Sequence, residues 1–157
     1  MRRRDREVTD PKAILTILKE ADIARLAFNV PNEAPYIVPM NFGYAYENGN
    51  LRLVFHGAKE GRKLDLLKAD ARVGFELDCP KELVTADESC GYSIYFASII
   101  GVGKAAILTD DEARKHAIDL LMLKVAGKTM PINEQVLAKT CIFEVVADSF
   151  SAKAKTK

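Results

Sequence analysis

The chain has 157 residues, 48% hydrophobic and 29% charged, which is ordinary for one globular domain long enough to bury a core. Its 23 basic and 22 acidic residues leave a formal charge of +1, so bulk electrostatics supplies no drive toward nucleic acid or acidic membranes. No apolar run approaches the ~20 residues of a membrane helix, and the basic start has no apolar stretch behind it, so the cytoplasm is the expected compartment.

In chain order, the first nine residues are expected to be extended or frayed. Asp10-Pro11 then reads as a helix start, with Asp at the N-cap and Pro at the first helical position. Ile14, Ile17, Leu18 and Ala21 repeat at helical spacing, which predicts a helix over 11–20. Strand-like runs follow at 23–30 and 36–46. In the second, Pro39 cannot donate to a ladder, which points to an edge or a bulge with backbone groups left for a ligand, or to a merely structural proline. Asn48-Gly49-Asn50 is a hairpin turn leading into a strand over 51–55.

A short helix ending near Lys68 comes next, then a strand over 72–77 that alternates Val73, Phe75 and Leu77 against Arg72, Gly74 and Glu76. The polar stretch 79–91 reads as a loop. Residues 92–108 are β-rich and form two strands or one bent strand; Gly101-Val102-Gly103 lacks the third glycine and helix of a dinucleotide fingerprint. Asp110 caps an amphipathic helix to about Val125, a last strand covers 140–146, and 150–157 is expected to be extended or frayed. Short strands broken by few helices predict a mainly β, antiparallel barrel with helical excursions in a single domain, 1–157.

Cys79, Cys90 and Cys141 form neither a CxxC pair nor a zinc pattern, and each is expected to pack as a small apolar residue. The four methionines, Met122 and Met130 among them, read as core filling. His116 falls mid-helix, at the surface or in packing. Tyr92, Tyr95 and Phe96 belong to the core, to an interface, or to a cleft wall.

The most informative segment is His56-Gly57-Ala58-Lys59-Glu60-Gly61-Arg62-Lys63-Leu64-Asp65, a strand-to-helix turn. Unpaired amides at a helix N-terminus and the macrodipole favour an anion there. Gly57 and Gly61 permit close backbone approach, while His56, Lys59, Arg62 and Lys63 add donors and charge. Helical spacing puts Lys59, Arg62 and Lys63 on one face. The competing reading is an ordinary solvated basic face, with Glu60 opposing an anion if it turns inward. The P-loop spacing is absent.

Three segments in this order and spacing, Tyr36-Ile37-Val38-Pro39-Met40-Asn41-Phe42-Gly43-Tyr44, His56 to Asp65, and Ser98-Ile99-Ile100-Gly101-Val102-Gly103-Lys104-Ala105, resemble the flavin-binding split-barrel proteins related to pyridoxamine 5′-phosphate oxidase. The branch they resemble is that of nitroimidazole resistance (Nim), as does Arg3-Arg4-Asp5-Arg6-Glu7. The resemblance implies a six-stranded antiparallel split β-barrel and a homodimer with FMN between subunits. By the same resemblance, the backbone of Val38, Pro39, Met40 and Asn41 meets the polar edge of the flavin. His56, Gly57, Ala58, Lys59, Arg62 and Lys63 fall at its phosphate and ribityl chain, and Ser98 and Ile99 lie near it from the partner. Phe96 stands where a basic residue is common in the third motif, and the Cys79–Cys90 stretch, which borders the substrate side, does not align.

What the resemblance implies is an FMN-dependent reductase that takes hydride from a nicotinamide nucleotide and reduces a small acceptor such as a nitroaromatic, not a true pyridoxamine phosphate oxidase. His56 would either bond the phosphate or ribityl chain or supply a proton to the acceptor. The competing classes are a non-enzymatic flavin- or haem-binding split barrel, with His116 as the spare histidine, and a small nucleic-acid-binding barrel. Near-neutral charge weighs against the last, and neither a membrane nor a nucleic-acid partner is expected.

Overall fold

The computed structural model describes residues 3–156; Met1, Arg2 and Lys157, part of the ends expected to be frayed, lie outside the described residues. The chain begins with a 3-10 turn, Arg4–Arg6, and a two-residue strand β1 (Glu7–Val8). Helix α1 (Pro11–Glu20) starts where Asp10 accepts from the Lys12 amide at 3.1 Å, and it buries Ile14, Ile17 and Leu18. Strands β2 (Ala24–Phe28), β3 (Tyr36–Met40), β4 (Gly43–Glu47) and β5 (Asn50–Ala58) follow. Positive φ at Asn48 (51°) and Gly49 (82°) makes the tight β4–β5 hairpin. Helix α2 (Arg62–Ala69), β6 (Arg72–Val84), β7 (Ser93–Ile107), α3 (Asp111–Ala126), α4 (Glu134–Lys139) and β8 (Thr140–Lys155) complete the chain. Among the described residues no helix is long and apolar enough to cross a membrane.

All strand pairs are antiparallel, in the order β3-β2-β6-β7-β8-β5-β4, with β1 added to β8. The two ends of this sheet, β3 and β4, are joined in sequence by only Asn41 and Phe42 yet do not pair. The sheet therefore curls without closing, which is a split barrel. Among the described residues its strands number eight rather than six, because the 36–46 run breaks at Asn41 and β1 adds a short strand.

The inward side carries Leu26, Phe28, Leu53, Phe55, Phe75, Leu77, Ile99, Phe143 and Val145, all nearly inaccessible. Phe55 and Phe143 face each other in register and stack with ring centroids 5.2 Å apart. Helices α1 and α2 plug this space with Ile17, Leu18, Leu64 and Leu67. A smaller cluster lies outside the sheet, where Ala117 and Leu121 of α3 and Leu137 of α4 cover Val54 and Ile142. Gly43 makes the α3 contact possible: a β-carbon there would fall 2.5 Å from the Leu121 amide nitrogen.

Several boundaries differ from the sequence reading. The 79–91 loop is shorter, because β6 continues to Val84 and pairs with β7 at Ser93. The 92–108 run holds one strand, β7, over Ser93–Ile107. The last strand does not stop at 146, since β8 runs to Lys155 and pairs with both β7 and β1. Its outward residues are polar, so the alternation was weak, while Phe150 and Ala152 pack toward the core. Helix α4 was not anticipated, although Asn133 caps it by accepting from the Gln135 and Val136 amides. Helix α3 is less amphipathic than its sequence suggested: only Ala117 and Leu121 are buried, and Leu123 and Val125 are exposed. Cys79 and Cys141 are buried as expected, but Cys90 is exposed within the polar turn Ser89–Gly91.

Candidate functional site

The site is organised by the end of β5. Phe55 faces the barrel interior, so alternation turns His56 to the outer side and position 57 back inward. Gly57 pairs with Cys141 and Ala58 with Thr140 on β8. The missing side chain at Gly57 leaves space taken by Lys63: a β-carbon there would sit 3.3 Å from the lysine Cε and Nζ. Lys63 and His56 thus flank β5 from opposite sides.

Gly61, at φ 125°, turns the chain from β5 into α2 and carries no side chain to cap the helix. Its carbonyl accepts from the Leu64 and Asp65 amides at 2.9 and 3.2 Å, leaving the N-terminus of α2 without a side-chain cap. Arg62 lies over the Tyr36 ring, 4.8 Å from its centroid, and reaches Glu33 at 3.4 Å. These contacts bring α2 beside the start of β3.

Among the described residues strand β3 pairs only with β2, so its other edge carries no ladder, the arrangement anticipated from Pro39. Val38 and Met40 pack toward the core, while Ile37, Pro39 and Asn41 are exposed. The described structure therefore gathers the β3 edge, Gly57, the α2 N-terminus, Arg62 and Lys63 at one end of the barrel. Lys59 departs from the expected common face with Arg62 and Lys63. It precedes the helix, and the Gly61 turn breaks helical spacing between them; Lys59 instead lines a cavity of about 320 Å³ with Lys68 and Arg114. Glu60 is exposed.

Ser98 is half-buried on the outer side of β7, between Asp78 and Lys153 on the flanking strands. Ile99 is fully buried in the barrel core, which leaves only its backbone to meet anything outside. Tyr92 is exposed, whereas Tyr95 and Phe96 are half-buried beneath Lys155 and Lys153. His116 is exposed on α3 and lies apart from His56, beside Arg52 and Val146.

His56 opens on a pocket of about 250 Å³ that the sequence did not reveal. Its walls are Ile118 and Met122 from α3, Met130, Pro131 and Ile132 from the following loop, and Val136 and Leu137 from α4. Met122 and Met130 are thus cavity walls rather than core filling. The one legible signal was Pro131-Ile132-Asn133, an apolar residue directly before a helix cap. Next to it, the Cys141 thiol is pushed up by burial, and Lys63, Lys68, Lys59 and Arg114 all pull it the other way.

Comparison with known proteins gives the class. The model of the pyridoxamine 5′-phosphate oxidase family matches residues 10–154, and the chain belongs to that family. A candidate 5-nitroimidazole antibiotic resistance protein from Bacteroides thetaiotaomicron superposes with a TM-score of 0.79 at 26% identity, covering 94% of this chain and 86% of the other, which supports the Nim-like branch. Two further structures share the fold at TM-score 0.79. One is a flavocytochrome from Azotobacter vinelandii, 18% identical over 100% of this chain and 72% of that one. The other is an FAD- and haem-binding protein from Mycobacterium smegmatis, 20% identical over 97% and 74%. No curated protein matches the chain.

Proposed function

We propose that the chain is an FMN-binding flavoprotein that works as a homodimeric oxidoreductase, taking hydride from a nicotinamide nucleotide and reducing a small acceptor such as a nitroaromatic compound. The observation that carries this reading is the meeting of a free strand edge, an uncapped helix N-terminus and a lysine seated over a glycine at one end of the barrel. That donor set suits a planar heterocycle with a phosphate arm. The free edge at Val38, Pro39, Met40 and Asn41 would receive the polar rim of the ring. Lys63, Arg62 and the first amides of α2 would hold the phosphate, with Gly57 and Ala58 beside the ribityl chain. Exposed Ile100 and Val102 on the sheet's outer face support a second copy, whose Ser98 and Ile99 backbone would close the cleft.

FMN, when bound, supplies the redox chemistry. The protein's own residues orient, exclude water and move protons. Backbone donors along β3 are fixed dipoles that favour negative charge beside them. His56 stands across β5 from Lys63, which favours a proton to the acceptor over a phosphate contact. Its pocket is apolar, as a small organic acceptor requires.

The second reading, a flavin or haem carrier without turnover, draws on the names of two structural neighbours, one a flavocytochrome and the other an FAD- and haem-binding protein. The deciding experiment follows nicotinamide oxidation with a nitroaromatic acceptor in the native protein and in His56→Gln. The expected result is a loss in kcat of about 100-fold with FMN affinity held within about twofold. Flavin retained without turnover from either NADH or NADPH would replace the enzyme with the carrier.

A further inference from the structure

The His56 pocket has a neighbour of opposite character. Thr140 lines both cavities, and the Arg114 guanidinium, which lines the second, donates to the carbonyls of two residues in the wall of the first, Leu137 at 2.6 Å and Thr140 at 3.4 Å. One cavity is walled by Ile118, Met122, Ile132 and Val136; the other, of about 320 Å³, receives Lys59 from the β5–α2 turn, Lys68 from α2 and Arg114 from α3. No carboxylate is among the residues lining the basic cavity. Arg114 is anchored by Asp111 at 2.8 Å, whereas Lys59 and Lys68 have no ion-pair partner among the described residues. Two cations without a matching acid thus face the same cavity as a third, Arg114, that has one, and an anion there meets a net positive field.

We propose that the two cavities form one site for a small organic acid, whose apolar body enters the pocket beside His56 and whose carboxylate meets Lys59, Lys68 and Arg114. A volume of about 250 Å³ suffices for one substituted ring, since an engineered cavity of roughly 150 Å³ admits benzene. Arg114, held by two carbonyls and Asp111, is the fixed member, while Lys59 and Lys68 are the mobile ones that close on the acid. This deepens the acceptor reading above by giving the acceptor a charge. The binding itself does not require flavin.

The test measures binding of 4-nitrobenzoate and of its uncharged analogue 4-nitrobenzamide to the purified protein as isolated, and to Lys68→Glu. The carboxylate is expected to bind about tenfold more tightly than the amide at low salt. That preference should shrink as salt rises and disappear in Lys68→Glu, with amide affinity unchanged. Lys68 is exposed, so folding is not the concern, and unfolding curves of both proteins should superimpose. Equal affinities for the two compounds, or a preference that survives in Lys68→Glu, would overturn the proposal. Flavin content of the same samples separates the two readings: a protein that keeps the preference but neither carries flavin nor binds added FMN sustains this site and removes the flavin assignment. Conversely, a flavin-loaded protein without the preference removes this site alone.

Discussion

The two apolar layers of this protein are built to different standards. Inside the barrel, Phe28, Phe42, Phe55 and Phe143 are at most 1% exposed, and no polar or charged residue is buried among the described residues. Outside it, α3 and α4 bury only Ala117, Leu121 and Leu137 over Val54 and Ile142, and leave Met130 and Val136 at 47% and 60% exposure. The inner layer is closed to solvent along its large side chains, which gives stability. The outer layer is half filled, and both cavities beside His56 and Lys59 lie beneath or beside it. The closed core and the two cavities therefore lie on opposite faces of the same strands, with β5 carrying Phe55 on one and His56 on the other.

Truncation should break this comparison most clearly. Phe143→Ala removes a stacked, fully buried ring and should cost about 3–5 kcal/mol in denaturant unfolding. Val136→Ala, on the pocket wall, should cost less than about 0.5 kcal/mol. Comparable losses at the two positions would mean that the outer layer is as much a core as the inner one.

Lys63→Ala tests the end of the barrel where the layers meet. Loss of its charge over Gly57 should weaken FMN binding by ~1.5–3 kcal/mol, read by fluorescence titration. An unchanged dissociation constant would remove Lys63 from the cradle. Gly43→Ala sharpens the comparison from the other side. The added carbon would press on the Leu120–Leu121 backbone and push α3 off β4, at a cost of about 1–3 kcal/mol. Because Ile118 and Met122 ride on α3, ligand affinity at the His56 pocket should fall along with stability. Stability lost without affinity would show that the pocket is independent of the α3 seat.

How much of this was legible depended on local chemistry. Asp10-Pro11, Asn48-Gly49 and Asp110 fix their elements through caps and a turn, and each stands where the pattern put it. Pro39 marked an edge because its ring cannot donate, and β3 is one end of the sheet. The distal half of β8 was not legible, because its pairing with β7 and β1 depends on residues distant in sequence and its outer face is polar. The bulge opposite Val102 and Gly103 further shifts its register. The split of the Lys59, Arg62 and Lys63 cluster was hidden by Gly61, whose positive φ belongs to the turn and not to helical spacing. The His56 pocket joins residues from 56 to 140, and no linear motif spans that distance.

The central claim, a flavin held between the β3 edge and α2, is tested most directly by the absorbance spectrum of the purified protein, with chromatography of whatever heat releases. The account predicts a flavin spectrum and FMN recovered in equimolar amount with the chain. A Soret band would instead support the haem carrier, and a colourless protein that also fails to bind added FMN would contradict the account.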